Sequence, residues 1–134
     1  MRDDNEMESQ GGTEAVREPV TGVRAARLRE IKSYIGGNLR QHGLSIHGVA
    51  SRHGMSAGYV RQLFAAEGTT FTEFVLQQRL AAAQAMLHDP HFADRSVTAI
   101  VFEAGFGDVA YFNRIFRRRF GKKPSDARVS LRKD

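Results

Sequence analysis

Apolar residues recur three or four positions apart along most of the chain, a spacing that predicts helices rather than strands. The clearest stripe lies near the C-terminus and is formed by Phe112, Ile115, Phe116 and Phe120. The polar and basic residues of the same segment fall off that stripe: Tyr111, Asn113, Arg114, Arg117 and Arg118. A helix with this pattern packs by its apolar face and leaves a basic face for an anionic partner.

Similar stripes predict seven helices, which together define an all-α fold. Their approximate bounds are 24–39, 46–53, 57–67, 71–88, 97–104, 109–120 and 125–131. Five of these helices follow a residue suited to the N-cap position: Ser45, Ser56, Thr70, Ser96 and Asp108. Pro124 opens the last helix, and Asp89-Pro90 ends the fourth, because the residue before a proline leaves helical space.

The chain also contains an internal repeat. Residues 59–64 match residues 111–116 in pattern, at an offset of 52 positions. The offset is 51 for the turn glycines Gly54 and Gly105, so the later turn holds one extra residue. The repeat predicts two helix-turn-helix units, over residues 24–68 and 96–131, joined by a connector helix over residues 71–88.

The length of the connector bears on what the two units can do together. Roughly 18 residues at about 1.5 Å per residue span about 27 Å. The widths of the helices at each end bring the separation of the two units near one turn of B-DNA, about 34 Å. One chain is therefore expected to place two helices in successive major grooves on the same face of a duplex.

The two units, together with Gly105-Phe106 and the segment 116–125 (FRRRFGKKPS), resemble the DNA-binding domain of the AraC/XylS family of bacterial transcription regulators. The resemblance runs from about Ala26 to Arg128. It implies two helix-turn-helix subdomains on a long linker helix, sequence-specific binding to asymmetric duplex DNA, and regulation of transcription. Activation is the expected sign, because the resemblance implies contact with RNA polymerase at promoters.

Family members commonly carry a separate sensing or dimerising domain before this one. We therefore hold two expectations open: a stand-alone regulator controlled by its own abundance, or a piece of a larger protein. The chain itself is expected to be a monomer, with dimerisation only through such a further domain.

By the same resemblance, three positions in the first unit read bases: Gly58, Arg61 and Gln62. An arginine there can pair with guanine O6 and N7, and a glutamine with adenine N6 and N7. Gly58 departs from the family, which often has a larger side chain at that position, so base choice there is open. The corresponding candidates in the second unit are Val109, Ala110, Asn113 and Arg114. Of these, the two apolar residues can touch only thymine methyl groups.

Another group of polar residues is suited to phosphate contacts, which position a protein on DNA rather than specify sequence. Its members are Arg52, Tyr59, Tyr111, Arg117, Arg118, Lys122 and Lys123. Arg79 lies in the middle of the connector among apolar residues, so a structural ion pair and a phosphate contact are equally consistent with its position.

Charge changes this picture only modestly. The 134 residues carry a net charge of +5, but residues 1–18 hold two basic and six acidic side chains, so the remainder carries about +9. A basic domain favours a polyanionic partner. Residues 1–22 show no hydrophobic period and are predicted to form a disordered acidic tail ahead of a domain over residues 23–134. This tail is a hypothetical competitor of DNA for the basic face.

Other function classes find little support. The absence of cysteine excludes disulfides and thiolate metal sites. No apolar run is long enough for a membrane span, and the first residues lack the basic-then-apolar order of a signal peptide, so we expect a soluble, cytoplasmic protein without a membrane partner. No nucleophile elbow or nucleotide fingerprint occurs, so we expect neither enzymatic activity nor a cofactor. The segment 88–91 (HDPH) is not expected to hold a metal, because its proline gives a loop without fixed ligand geometry.

Two other binding functions remain as alternatives. Helix-turn-helix scaffolds also bind proteins, so a protein-interaction module that does not read DNA is the main one. RNA binding is disfavoured because most phenylalanines fall on packing stripes and leave no stacking surface.

Overall fold

The computed structural model describes the backbone of residues 14–133 and the side chains of residues 22–128. Within that part of the chain there are seven α-helices, one short 3-10 helix and no strands, which confirms the predicted all-α class. The α-helices are α1 (Glu14–Gly36), α2 (Ile46–Arg52), α3 (Ala57–Ala65), α4 (Phe71–Leu87), α5 (Val97–Glu103), α6 (Val109–Phe120) and α7 (Pro124–Lys133). The 3-10 helix spans Pro90–Phe92 and follows α4.

The apolar side chains form two separate cores, one for each helix-turn-helix unit. The first core joins α1, α2, α3 and the start of α4, and its buried members are Leu28, Ile31, Ile35, Val49, Ala50, Val60, Leu63, Phe64, Phe71 and Val75. The second joins the rest of α4 to α5, α6 and α7, with Leu80, Ala83, Leu87, Ile100, Val101, Ala104, Phe106, Phe112, Ile115, Phe116 and Ala127. The predicted helical stripes therefore mark the buried faces.

Helix α4 is common to both cores. Phe71 and Val75 belong to the first core, whereas Leu80, Ala83 and Leu87 belong to the second. Burying a side chain of the larger kind contributes about 1.5–3 kcal/mol. Because one uninterrupted helix is held at both ends in this way, it acts as a stiff spacer between the units.

The repeat extends to individual hydrogen bonds. In the first turn the N–H of Met55 donates to the carbonyl of Ala50 at 2.8 Å, and in the second the N–H of Phe106 donates to the carbonyl of Val101 at 3.1 Å. The glycine before each donor has a positive φ, 68° in the first turn and 105° in the second. This is the six-residue bond that closes a helix C-terminus in the Schellman motif.

The five predicted N-caps are confirmed. Each cap side chain accepts a hydrogen bond from the backbone N–H three residues later, at 3.0 or 3.1 Å. A cap of this kind satisfies one of the backbone donors that a helix start leaves free, and it is worth about 1 kcal/mol. The caps therefore define where both helices of each unit begin.

Two predicted boundaries differ from the structure. Helix α1 begins at Glu14 rather than near Arg24, so the later part of the predicted tail is helical; its residues 1–13 lie outside the described backbone. The prediction relied on a burial period, whereas the segment 14–18 (EAVRE) contains alanine, glutamate and arginine, which favour helix without any burial. At its other end α1 stops at Gly36 instead of Leu39, because glycine is a poor helix former.

Candidate DNA-binding surface

The first candidate recognition helix is α3, which presents one polar face. Gly58, Arg61 and Gln62 are all exposed, whereas Val60, Leu63 and Phe64 are buried in the first core. Positions three and four apart lie on the same side of a helix, so the three exposed positions form one patch. A side chain built at Gly58 would meet only the Ser56 hydroxyl oxygen, at 3.9 Å. The patch therefore has open space where the family often has a larger residue.

The second candidate recognition helix, α6, has an equivalent exposed face. Ala110, Asn113 and Arg114 are exposed, and Val109 is half-buried against the second core. Val109 still reaches the surface, since it lines an open cleft together with Asn113 and Arg114. The sequence-predicted candidates of this unit thus lie together on one face.

That cleft lies between the starts of α5 and α7 and the outer face of α6. Its volume is about 530 Å³, and its wall is formed by Val97, Thr98, Val109, Asn113, Arg114, Arg117, Lys123, Pro124 and Ser125. Three of these side chains are cationic, which favours an anionic occupant of the cleft. Sequence analysis had not identified Thr98 or Ser125, because their place beside α6 depends on tertiary packing.

Each recognition helix contributes a tyrosine near its start that lies under an arginine guanidinium. The Arg24 guanidinium lies over the Tyr59 ring at 5.3 Å, and that of Arg114 lies over the Tyr111 ring at 5.7 Å. Stacking holds a guanidinium in place while its edge N–H groups stay available to an anion. Arg24 was not among the predicted contacts, because its neighbour Tyr59 is far along the sequence and no local pattern links them.

Arg52, a predicted phosphate contact, is exposed and takes part in a similar pair. Its guanidinium lies 5.1 Å from the centre of the Tyr34 ring. Tyr34 in turn packs edge-on against the His53 ring, with 5.2 Å between the ring centres. Arg52 is therefore oriented by α1 at the end of α2.

The end of α6 and the following turn form a strongly basic part of the surface. Arg117, Arg118, Lys122 and Lys123 are all exposed. Arg119 points elsewhere, since its Nε donates to Oε1 of Gln77 on α4 at 3.1 Å. Basic residues in a last helical turn also complement the helix dipole, but that effect is worth only about 0.3–1 kcal/mol and needs one charge. Four exposed cations exceed this requirement.

Arg79 makes two hydrogen bonds to backbone carbonyl groups. Its Nε donates to the Leu39 carbonyl at 3.0 Å, and its Nη2 donates to the Gln41 carbonyl at 2.9 Å. Burial lowers the pKa of Arg79 from the ordinary arginine value, but an arginine remains charged at neutral pH. Its partners are therefore backbone carbonyls rather than the carboxylate of an ion pair, and a phosphate contact stays a prediction.

The segment 88–91 forms a helix end. Asp89 accepts a hydrogen bond from the backbone N–H of His91 at 2.9 Å, and this bond holds the pKa of Asp89 below its usual value. Among the described side chains, no group of three His, Asp or Glu residues is placed to share a metal ion. Nor does the described part of the chain include a helix long and apolar enough to cross a bilayer.

A family model described as "Helix-turn-helix domain" matches residues 49–130. Among curated proteins, the transcriptional activator RhrA of Rhizobium meliloti is 37% identical over 102 residues, which cover 76% of this chain and 32% of RhrA. The transcriptional activator NphR of a Rhodococcus species is 38% identical over 101 residues, 75% of this chain and 29% of NphR. The chain thus spans about a third of the length of these relatives.

Among solved structures, a transcriptional regulator with an AraC-type DNA-binding domain from Chromobacterium violaceum is similar to this chain. The two superpose with a TM-score of 0.73 at 24% identity, over 82% of this chain and 96% of the other. At that identity the likeness concerns the fold.

Proposed function

The chain belongs to the AraC/XylS family of helix-turn-helix proteins, and from this we propose that its two units read one DNA duplex together and regulate transcription. The observation that carries the proposal is the placement of two repeat-related, solvent-exposed recognition faces on units that share α4. The 17 residues of α4 span about 26 Å at about 1.5 Å per residue. With the flanking helix widths, this spacing suits successive major grooves, about 34 Å apart.

Base reading is assigned to the exposed faces of α3 and α6. In the first unit, Arg61 has the donors for a guanine contact and Gln62 has the donor and acceptor for an adenine contact, while base choice at Gly58 stays open. In the second unit Arg114 and Asn113 are the polar candidates, and Val109 with Ala110 offers contact to thymine methyl groups. Each unit thus offers one arginine and one side-chain amide for polar readout.

Phosphate binding is assigned to the flanking side chains. Exposure and charge support Arg117, Arg118, Lys122 and Lys123 beside the second unit, and Arg52 beside the first, where we also assign the partly exposed Tyr59. Tyr111, which is 38% exposed, belongs to the same group. Each phosphate neutralised by one of the cations releases counterions and makes binding more dependent on salt.

The cellular role follows from the relatives' names. RhrA and NphR are named transcriptional activators, which supports activation through contact with RNA polymerase. We further propose that the chain binds DNA as a monomer, in the cytoplasm, and has no enzymatic activity. For the case in which the chain is a piece of a longer protein, we propose that a further domain binds an effector or dimerises.

The test is a selection of random duplex DNA by the purified chain, followed by binding of the selected duplex across a range of salt concentrations. We expect an asymmetric site with two base clusters about one helical turn apart, and a steep loss of affinity as salt rises. Binding without sequence preference would contradict base reading by α3 and α6. No binding at all would favour the protein-interaction alternative.

A further inference from the structure

The turn of the second unit is in direct contact with the first unit. Gly105, at the turn between α5 and α6, is buried with φ of 105°. A Cβ built on this glycine would lie 1.9 Å from the carbonyl oxygen of Leu39, which belongs to the segment joining α1 to α2. Such a distance is impossible for real atoms, so the two backbones approach as closely as only glycine allows.

Arg79 binds the same segment through its guanidinium group. Its guanidinium donates to the carbonyls of Leu39 and Gln41 and lies beside Gly105, since a Cβ there would be 2.6 Å from Nε. Two bonds from one planar group fix both the position and the orientation of the segment. Arg79 itself projects from α4, the helix common to both units.

Further contacts across the junction are weaker but lie in the same place. Arg40 and Glu103 form an ion pair at 3.3 Å, although Arg40 is largely exposed. The inserted residue of the second turn, Gly107, lies beside the His42 imidazole, whose Nδ1 is 3.7 Å from a built Cβ. The segment 37–44 therefore meets the second unit at several points along its length.

We propose that this junction, with Arg79 at its centre, sets the angle between the two recognition helices and so determines which spacing of the two DNA half-sites the protein accepts. The proposal rests on the two-unit reading of DNA. Arg79 is a positioning residue in it, since it acts through the Leu39–Gln41 segment rather than by touching a base.

The geometry of DNA explains why such a device matters. Each additional base pair moves a half-site by about 3.4 Å along the duplex and rotates it by about 34°. A reader whose two heads are locked together cannot follow that rotation and loses the contacts of one head. A reader whose heads pivot about α4 can follow it.

The test uses the selected duplex and versions of it with the spacer shortened by one base pair or lengthened by one or two. Fluorescence anisotropy gives Kd for each duplex, and for a duplex that keeps only the first half-site. Arg79→Met retains the aliphatic stem but removes the donors, while Arg79→Lys retains the charge and can reach one carbonyl. Arg52→Ala is the matched control, because its exposed side chain belongs to the first unit, whose half-site is kept in every duplex.

For the unmodified chain we expect each change of spacing to weaken binding about tenfold or more, as the loss of one head's base contacts implies. For the Arg79→Met variant, Kd at each altered spacing should stay within about threefold of Kd at the selected spacing. Its Kd for the first half-site should equal that of the unmodified chain. Arg79→Lys should fall between the two, and Arg52→Ala should weaken binding to all spacings and to the first half-site by the same factor.

If a change of spacing weakened binding of both Arg79 variants as much as that of the unmodified chain, the junction role would be overturned. Equal binding to the first half-site shows that a variant is folded, and if Arg79→Met fails this criterion, Arg79→Lys alone decides. Failure of the proposed function looks different: the unmodified chain would then bind every spacing, and the half-site duplex, equally well or not at all.

Discussion

The turn glycines of the two units occupy equivalent positions but face different surroundings. Gly54 has φ of 68°, and nothing lies within 4 Å of a Cβ built on it. Gly105 has φ of 105° and is in contact with the Leu39 carbonyl and the Arg79 guanidinium. The first glycine is needed only for its backbone angle, whereas the second is also needed for its lack of a side chain.

This difference shows that the second turn has a task that the first does not share. Both turns join two helices in the same way, down to the hydrogen bond that closes the first helix. At Gly105, however, the second turn also touches the other unit. The repeat therefore explains why the two units fold alike, and the differences between their turns explain how the units are joined.

A second comparison concerns the two arginines that follow the recognition helices. Arg79 on α4 donates to carbonyls in the segment before α2, and Arg128 on α7 donates to the carbonyls of Phe92 and Arg95 in the segment before α5. Each arginine thus anchors the chain that leads into a helix-turn-helix unit. Arg128 is buried within its own unit, whereas Arg79 lies at the boundary with the other one.

The difference between the two turns can be tested by replacing the glycine of each with alanine, which adds one methyl group. Gly105→Ala should destabilise the fold by about 3–5 kcal/mol, because it combines backbone strain with an overlap against fixed backbone atoms. Gly54→Ala should cost about 1–2 kcal/mol from strain alone. Urea unfolding of the two variants measures the difference, and equal losses of unfolding free energy would show that the junction is loose.

The recognition helices can be compared through their leading arginines. Arg61→Ala should weaken binding to the selected site by about 1–3 kcal/mol and relax base preference at one position of the first half-site. Arg114→Ala should do the same at one position of the second half-site. Binding to single-base variants of the site checks both. A uniform loss across all variants would instead identify that arginine as a phosphate contact.

The basic end of α6 provides the next comparison, between arginines that point in different directions. Replacing Arg117 and Arg118 together by alanine should weaken binding roughly tenfold and reduce the salt slope by about two. Arg119→Ala is the control, since that guanidinium is directed toward Gln77. A salt slope that is reduced by Arg119→Ala, or unchanged in the double variant, would contradict the assignment of Arg117 and Arg118 to phosphate contacts.

The smallest expected effect tests the part of the repeat that is alike in both units. Ser45→Ala and Ser96→Ala each remove one hydrogen bond to a helix start, at 3.1 and 3.0 Å. Each should lower the free energy of unfolding by about 1 kcal/mol, without effect on spacing preference. Thermal or urea unfolding serves as the measurement, and a large inequality would show that the two units differ in stability even where their geometry agrees.

Much of this fold could be predicted from local sequence signals. The cap residues and apolar stripes are local, and they predicted the seven helices. The start of α1 was missed because helix propensity without burial leaves no stripe. The DNA-facing candidates were predicted from the repeat and the family resemblance, and the structure brings them to the surface on α3 and α6.

The junction could not be predicted in the same way. Arg79 gave two plausible partners from sequence, and its actual partners, the carbonyls of Leu39 and Gln41, lie about forty positions away and are present in any residue type. Every residue has a backbone carbonyl, so the sequence does not show which carbonyl an arginine binds. The glycine at position 105 was read as a turn residue, and only the packed structure shows why a side chain cannot replace its hydrogen.

The central claim is that one chain reads two grooves on the same face of a duplex. Hydroxyl-radical footprinting of the purified chain on its selected site tests this most directly. We predict two protected patches whose centres lie about 10 base pairs apart on one face of the DNA. A single patch, or protection that winds continuously around the duplex, would contradict the account.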